Sequence, residues 1–356
     1  MLDSMHRGPG AAVTSLPQFE LAPGYGIPRI VRGGWQLATG HGQKAVDRET
    51  VYSDMDAYAA AGLTAIDCAD SYPGVEQLVG DWRRARPENA KGVRIHTKFV
   101  PPADSLATLT TADVERAVDQ SRTKLGMPVL DFLQFHWWKM QTPGWIEAAQ
   151  TLVKLQKRGW IRLLGGTNFD TPALRALADA GVHLKTMQVQ YSLLDDRPSR
   201  TMQPWAATQG MYFFCYGTLA GGFMGERWRG VPDPGLALEN KSLVKYKLII
   251  DAAGGWDFFQ TLLDALEKIA AKHGVDIAAV AVQYVLNQPS VAAAIVGVRH
   301  RGHLKQHLAA ASLALDAADL AALGKVLAQR RPLEGDCYEL ERSWPAAPPP
   351  VRLLPA

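Results

Sequence analysis

Eight short, mostly apolar runs recur along the chain, each separated from the next by a stretch long enough to hold a helix. They are Ile30 to Gly34, Thr64 to Asp67, Val93 to Lys98, Asp131 to His136, Ile161 to Gly165, Thr186 to Val189, Met211 to Cys215 and Ala294 to Val296. Strand-length runs alternating with helical segments are the pattern of parallel strands joined by crossover helices, and mostly apolar runs suit strands buried on both faces. Eight such units make one (β/α)8 barrel, an α/β TIM barrel, and this is the fold expected. Such a barrel takes about 250 residues, so a chain of 356 has material left for long loops and tails.

The segments between the runs read as helices. Val114, Ala117, Val118, Ser121 and Leu125 share one face, and Gly126 stops it. Thr171 followed by Pro172 reads as a cap and a first-turn proline, while Phe259, Leu262, Leu263, Leu266 and Ala270 form a second stripe ended by Gly274. Two stretches break the rhythm, Met224 to Gly255 and the Pro-rich tail after Arg331. Long connections of this kind usually serve a site or stay disordered, and in a barrel they would lie above the mouth. Residues 1–22 are therefore expected to be a poorly ordered tail, 23–331 the barrel that carries the site, and 332–356 a tail able to act as a lid.

Composition narrows the partners. A net charge of +3 is too small an excess to predict a nucleic-acid or membrane partner. Cys68, Cys215 and Cys337 have neither paired nor metal-ligand spacing, which suits a reducing compartment. No run approaches the ~20 apolar residues of a membrane span, and the first residues lack the order of a secretory signal. The expectation is a soluble, cytoplasmic protein, with an organelle-targeting role for the N-terminal tail as the alternative.

In barrels of this kind, reactive groups come from the C-terminal ends of the strands and the loops behind them. The second run ends in Asp67, with Tyr72 five residues on; the third ends in Lys98 and the fourth in His136. Neighbouring strands lie about 4.8 Å apart, so these ends can share one corner of the mouth. A phenol titrates near 10 and holds its proton at neutral pH, but an adjacent ammonium lowers that value. Lys98 is placed to supply the charge, and Asp67 to keep Lys98 charged and oriented. A tyrosine acid with a lysine partner accounts for these residue types better than four unrelated strand-end side chains.

At these residues the chain resembles the aldo-keto reductases. AIDCADSYPGVEQLVG, with Asp67 and Tyr72, is similar to the family's first signature. IHTKF around Lys98, LDFLQFHWW around His136, IRLLGGTNF around Asn168, MQVQYSLLD around Gln190 and YGTLAGGFMG around Tyr216 follow in the family's order, from about Gly33 to Leu308. The resemblance implies an oxidoreductase that passes hydride between a nicotinamide cofactor and a carbonyl or alcohol. Tyr72 would be general acid and base, Lys98 would tune it, Asp67 would hold Lys98, and His136 would orient the substrate.

The resemblance also implies a cofactor site. Thr167, Asn168 and Gln190 would hold the nicotinamide carboxamide, and Tyr216 would stack on the ring. Gly217, Thr218, Leu219 and Gly221 would wrap the pyrophosphate, since small residues let backbone N–H groups approach an anion. Neither a Rossmann G-x-G-x-x-G nor a Walker motif occurs. Gly297, Val298 and Arg299 lead into a helix where barrels commonly bind phosphate, and Arg299, as the expected contact for a 2′-phosphate, favours NADP(H) over NAD(H). His303 and His307 fall where many members carry arginine or glutamine and asparagine as adenosine contacts. No acidic or thiol partner accompanies the histidines, so no metal is expected. Gly34 and Trp35 resemble the family's opening turn.

Trp35, Trp137, Trp138 and Phe223 are expected to ring the substrate, a small molecule that the sequence does not name. Two alternatives share the barrel: a sugar or alcohol dehydrogenase working in the oxidising direction, and a low-turnover redox-sensing subunit resembling potassium-channel β subunits. Oligomeric state is not legible.

Overall fold

The computed structural model describes residues 16–38, 47–298 and 300–338. Two short antiparallel strands, β1 (Gln18–Ala22) and β2 (Tyr25–Pro28), form a hairpin ahead of the barrel. The barrel strands are β3 (Ile30–Gly33), β4 (Ala65–Asp67), β5 (Arg94–Phe99), β6 (Leu130–Phe135), β7 (Ile161–Thr167), β8 (Thr186–Gln190), β9 (Tyr212–Tyr216) and β10 (Val291–Gly297). They run parallel in chain order, and β10 pairs with β3 to close the cylinder.

Alternation along each strand separates interior from exterior. On β5, Ile95 and Phe99 pack with the helices, and Thr97 Oγ1 donates to Glu76 Oε1 at 2.6 Å. His96 and Lys98 face the axis. His96 stacks on Phe214 at 5.2 Å, beside Phe132. Burial pushes its ring down to about 4, so it fills the interior as a neutral side chain. Leu21, Tyr25 and Ile27 of the hairpin join Val31, Ala65, Phe132 and Phe214 in one apolar cluster, so the hairpin plugs the end of the barrel opposite the C-terminal strand ends.

The expected helices form, with local corrections. Thr111–Leu125 starts on a capping box between Thr110 and Asp113 and ends on Gly126 at φ 62°. The helix Thr171–Asp179 is capped by Asp170, not Thr171, because the Asp170 carboxylate accepts the Ala173 N–H. Chain order begins earlier than expected, since residues 18–22 pair in the hairpin rather than lying in a loose tail; residues 1–15 and 339–356, with the rest of the expected tails, fall outside the described residues.

The stretch from Met224 to Gly255 is not a simple loop. Asn240 caps a helix, Lys241–Ala253, by accepting from Leu243 N. Leu243, Tyr246, Ile250 and Ala253 of this helix pack with Phe223, Trp256, Phe259 and Leu262 in a second apolar cluster beside the barrel. The C-terminal segment is sewn over the barrel top: Arg330 Nη1 donates to Leu193 O at 2.7 Å, Arg197 Nη1 to Asp336 O at 3.4 Å, and the Asp336 carboxylate accepts Thr171 N at 2.7 Å. No single helix among the described residues is long and apolar enough to cross a membrane.

Helix Val75–Ala85 crosses Thr111–Leu125 at Gly80, where an added Cβ would come within 1.9 Å of Lys124 O. Gly80→Ala therefore reverses the usual gain from removing a helical glycine: urea unfolding should show a loss of about 1–3 kcal/mol from overpacking, and a gain would mean the two helices do not touch there.

Candidate active site at the barrel mouth

The C-terminal strand ends converge on one ammonium group. Lys98 Nζ donates to Asp67 Oδ2 at 2.5 Å, to Cys68 O at 2.8 Å and to Tyr72 Oη at 3.3 Å, so each of its three N–H bonds has an acceptor. The other Asp67 oxygen accepts from Gln134 Nε2 and Gln188 Nε2, both at 2.9 Å. Asp67 and Lys98 are each 3% exposed. Gln134 and Gln188 were not singled out in the sequence, although each stands two residues before a selected one, His136 and Gln190, and so on the same face of its strand.

Burial alone would depress Lys98, but Asp67 and Tyr72 outweigh it and hold the ammonium above its usual value. Tyr72 corrects the expectation of a lowered phenol: burial raises it, the Lys98 charge opposes this, and Asp67 adds to the rise. The net direction is upward. At neutral pH the pair is a protonated phenol beside a charged amine, so the phenol is an acid with its proton in place.

His136 follows β6. Its Nδ1 lies 3.0 Å from Thr167 O, and a carbonyl only accepts, so Nδ1 carries the proton. Nε2 is then the ring's acceptor edge when neutral and its second donor when charged. Three rings flank this pair. Trp35, 43% exposed, lies 4.8 Å from the Tyr72 ring; Trp138, 40% exposed, stands edge-on to His136 at 4.6 Å; and Tyr338, at φ 65°, stands edge-on to His136 at 6.4 Å.

Two expected wall residues are elsewhere. Trp137 is fully buried among core side chains, and its Nε1 donates to Lys139 O and Thr142 O. Past the end of β6 the chain bends at Trp138, which reaches the mouth while Trp137 stays in the core. Phe223 is buried in the second cluster, 4.6 Å from Trp228. Gly34 is buried and donates its N–H to Asp67 O at 2.8 Å, which seats Trp35 against Tyr72.

The residues expected to hold a cofactor line the opposite side of the mouth. Asn168, at φ 59°, accepts from Tyr216 Oη at 2.8 Å. Gln190 Nε2 donates to Asp195 Oδ2 at 2.7 Å, and Asp195 is itself paired with the buried Arg197. Gln190 Oε1 is buried with no hydrogen-bond partner. That orphan acceptor fits a carboxamide N–H2, so the residues present suit a nicotinamide ring. Gly217 and Gly221 have φ of 71° and 67°, and a Cβ at either would come within 2.6 and 2.7 Å of Tyr246. Thr218 is buried and Leu219 partly buried. Lys245 Nζ, which sequence reading missed, lies 5.3 Å from the Tyr216 ring centroid; the basic run KYK in the insertion was its only signal.

Behind β10, Gly297 is pressed against Gln36, whose Nε2 would lie 2.1 Å from an added Cβ, and Val298 is buried. Arg299, the expected 2′-phosphate contact, lies outside the described residues. His300 stacks on His303 at 4.8 Å and His303 on His307 at 6.3 Å. Among the described residues no group of three His, Cys, Asp or Glu side chains is placed to hold a metal.

Comparison with known proteins agrees with this geometry. The model of the Aldo/keto reductase family matches residues 29–328. Norsolorinic acid reductase B of Dothistroma septosporum is 28% identical over 77% of this chain and 71% of its own length. A glycerol dehydrogenase of Gluconobacter oxydans superposes with a TM-score of 0.74 at 23% identity, covering 92% of this chain and 98% of that one. An aldo/keto reductase of Klebsiella pneumoniae, solved with NADP and acetate, has a TM-score of 0.64 at 25% identity, covering 87% and 94%. The chain belongs to the aldo/keto reductase family and is an oxidoreductase.

Asp70, between Asp67 and Tyr72, accepts Val100 N at 3.1 Å, and burial pushes its carboxyl up to about 7. A folded value above the unfolded one contributes stability that is present at low pH and lost as pH rises through it. Relative to wild type, Asp70→Asn should gain stability between pH 4 and 7 and then level off in urea titrations. A constant offset across that range would show that Asp70 does not titrate as its burial requires.

Proposed function

We propose that this chain reduces carbonyl compounds with NADPH, using Tyr72 as the general acid. The observation that carries the reading is the Lys98 ammonium, bound at once to Asp67 Oδ2 at 2.5 Å and Tyr72 Oη at 3.3 Å. When bound, reduced nicotinamide supplies a hydride to the carbonyl carbon. Tyr72 gives its proton to the carbonyl oxygen as negative charge develops there, and Lys98 stabilises the phenolate left behind. Asp67, fixed by Gln134 and Gln188, keeps Lys98 charged through that change. When its ring is charged, His136 donates Nε2–H to the substrate oxygen and orients it, while Nδ1–H stays on Thr167 O.

A phenol resting in its acid form is the state that reduction starts from. Thr167, Asn168 and Gln190 would hold the carboxamide, Tyr216 would stack on the ring, and the glycine loop from Gly217 to Gly221, with Lys245 near it, would take the pyrophosphate. Gly297, Val298, His303 and His307 would form the adenosine side, and Arg299, which follows Val298 in the sequence, supports NADPH over NADH. The exposed faces of Trp35 and Trp138, with Tyr338 edge-on to His136 beside them, suit a substrate with a flat apolar face beside its carbonyl. The segment up to Tyr338 closes that side of the pocket.

A panel of aldehydes and ketones, run with NADPH and NADH in parallel, tests the reading together with Tyr72→Phe. This variant should lower kcat about 10²–10⁴-fold, as expected for loss of a general acid, while NADPH affinity by fluorescence titration stays within about twofold. Full activity in the variant would assign the acid elsewhere.

A further inference from the structure

A second group of unusual side chains lies behind β10, on the outer face of β3. Arg32 is 2% exposed, and its Nε, Nη1 and Nη2 have no hydrogen-bond partner. Its guanidinium lies 5.3 Å from the ring centroid of Tyr58, on helix Arg48–Ala60. Tyr58 Oη is 2.8 Å from Nδ1 of His307, a buried residue on helix Leu304–Ser312. The charged and titratable groups around His307 are Arg32 on β3, Tyr58 and Asp54 on the first helix, and His303 with His300 and Arg301 on its own segment. Arg301 Nη1 donates to Ser53 Oγ at 3.1 Å, which ties that segment to the helix of Tyr58.

A hydrogen bond between a phenol and an imidazole runs in one of two senses. Burial raises Tyr58 to about 12, so its O–H keeps its proton. Burial lowers His307 to about 4, with His303 and Arg32 acting in the same direction, so its ring is neutral and has one N–H. A phenol is a good donor and a poor acceptor, and a cation over its ring makes its oxygen poorer still. The Tyr58 hydroxyl therefore donates to Nδ1, and the single ring proton stays on Nε2, at the edge away from Tyr58.

We propose that Tyr58 and Arg32 are positioning residues that lock His307 as a neutral Nε2–H donor toward the adenine base of the cofactor. This rests on the adenosine end lying along Gly297 to His307. A carboxamide side chain at this position would offer both a donor and an acceptor. The locked histidine offers a donor alone, so it recognises a ring nitrogen of the base rather than its amino group. Arg32 makes no hydrogen bond and acts through its charge, which together with burial and His303 keeps a second proton off His307.

The test has two arms. Long-range ¹H–¹⁵N spectra of histidine-labelled protein without cofactor, assigned with His307→Ala, should show the Nε2–H tautomer at neutral pH, and Tyr58→Phe should abolish the preference. An Nδ1–H tautomer or an imidazolium in wild type would overturn the proposal. In the second arm, Tyr58→Phe should weaken NADPH binding about tenfold, the loss of roughly one oriented hydrogen bond, and raise the KM for NADPH with kcat unchanged. The double variant Tyr58→Phe/His307→Ala should be no weaker than His307→Ala, because Tyr58 acts through the imidazole. Nicotinamide mononucleotide should bind all variants equally. An unchanged NADPH Kd in Tyr58→Phe, or additive losses, would contradict the assignment. Absence of NADPH binding to wild type would instead sink the cofactor reading while leaving the tautomer measurement to decide the lock.

Discussion

The ion pair between Lys98 and Asp67 is the contact on which the site depends. An ammonium removed from water costs several kcal/mol unless it is paired and its donors are satisfied. Here all three donors of Lys98 have acceptors, and the carboxylate that pairs with it is held by two glutamines from other strands. Those glutamines come from β6 and β8, so only a closed cylinder brings them to one oxygen. Barrel closure is thus the condition for the charge, and the charge is the condition for the chemistry proposed at Tyr72.

The molecule divides this labour along the barrel axis. One end is plugged by the hairpin and filled by Phe132, Phe214 and a neutral His96, all without charge. At the other end, loops and tail are fastened by arginines. Arg197 pairs with Asp195 in full burial and also bonds the chain at Asp336, so the wall that carries Gln190 and the segment that carries Tyr338 share one anchor. The rings at the mouth stay exposed while the supports beneath them are dry.

Much of this was legible in the sequence. All eight barrel strands lie where the apolar runs stood, with ends shifted by a few residues, because double burial leaves an unambiguous composition. Asp67, Lys98 and Tyr72 could be grouped because strand ends meet at the mouth. The helix Lys241–Ala253 escaped notice because its stripe, Leu243, Tyr246, Ile250 and Ala253, packs on an insertion rather than on the barrel. Trp137 and Trp138 were read alike, and only packing tells which one reaches the mouth. The direction of the Tyr72 shift was misread for a related reason. Proximity to Lys98 follows from topology, but the opposing effect of burial depends on how tightly the surroundings close, and that is a property of the folded whole.

The central claim is that Tyr72 rests as a neutral phenol beside a charged lysine. It is tested most directly by following the ring carbon that bears the hydroxyl in tyrosine-labelled protein through a pH titration, with the signal assigned by Tyr72→Phe. The account predicts that residue 72 keeps its phenol signal past pH 10, above an ordinary tyrosine. Ionisation between pH 6 and 9 would contradict it, and would mean that the ammonium, not burial, governs the hydroxyl.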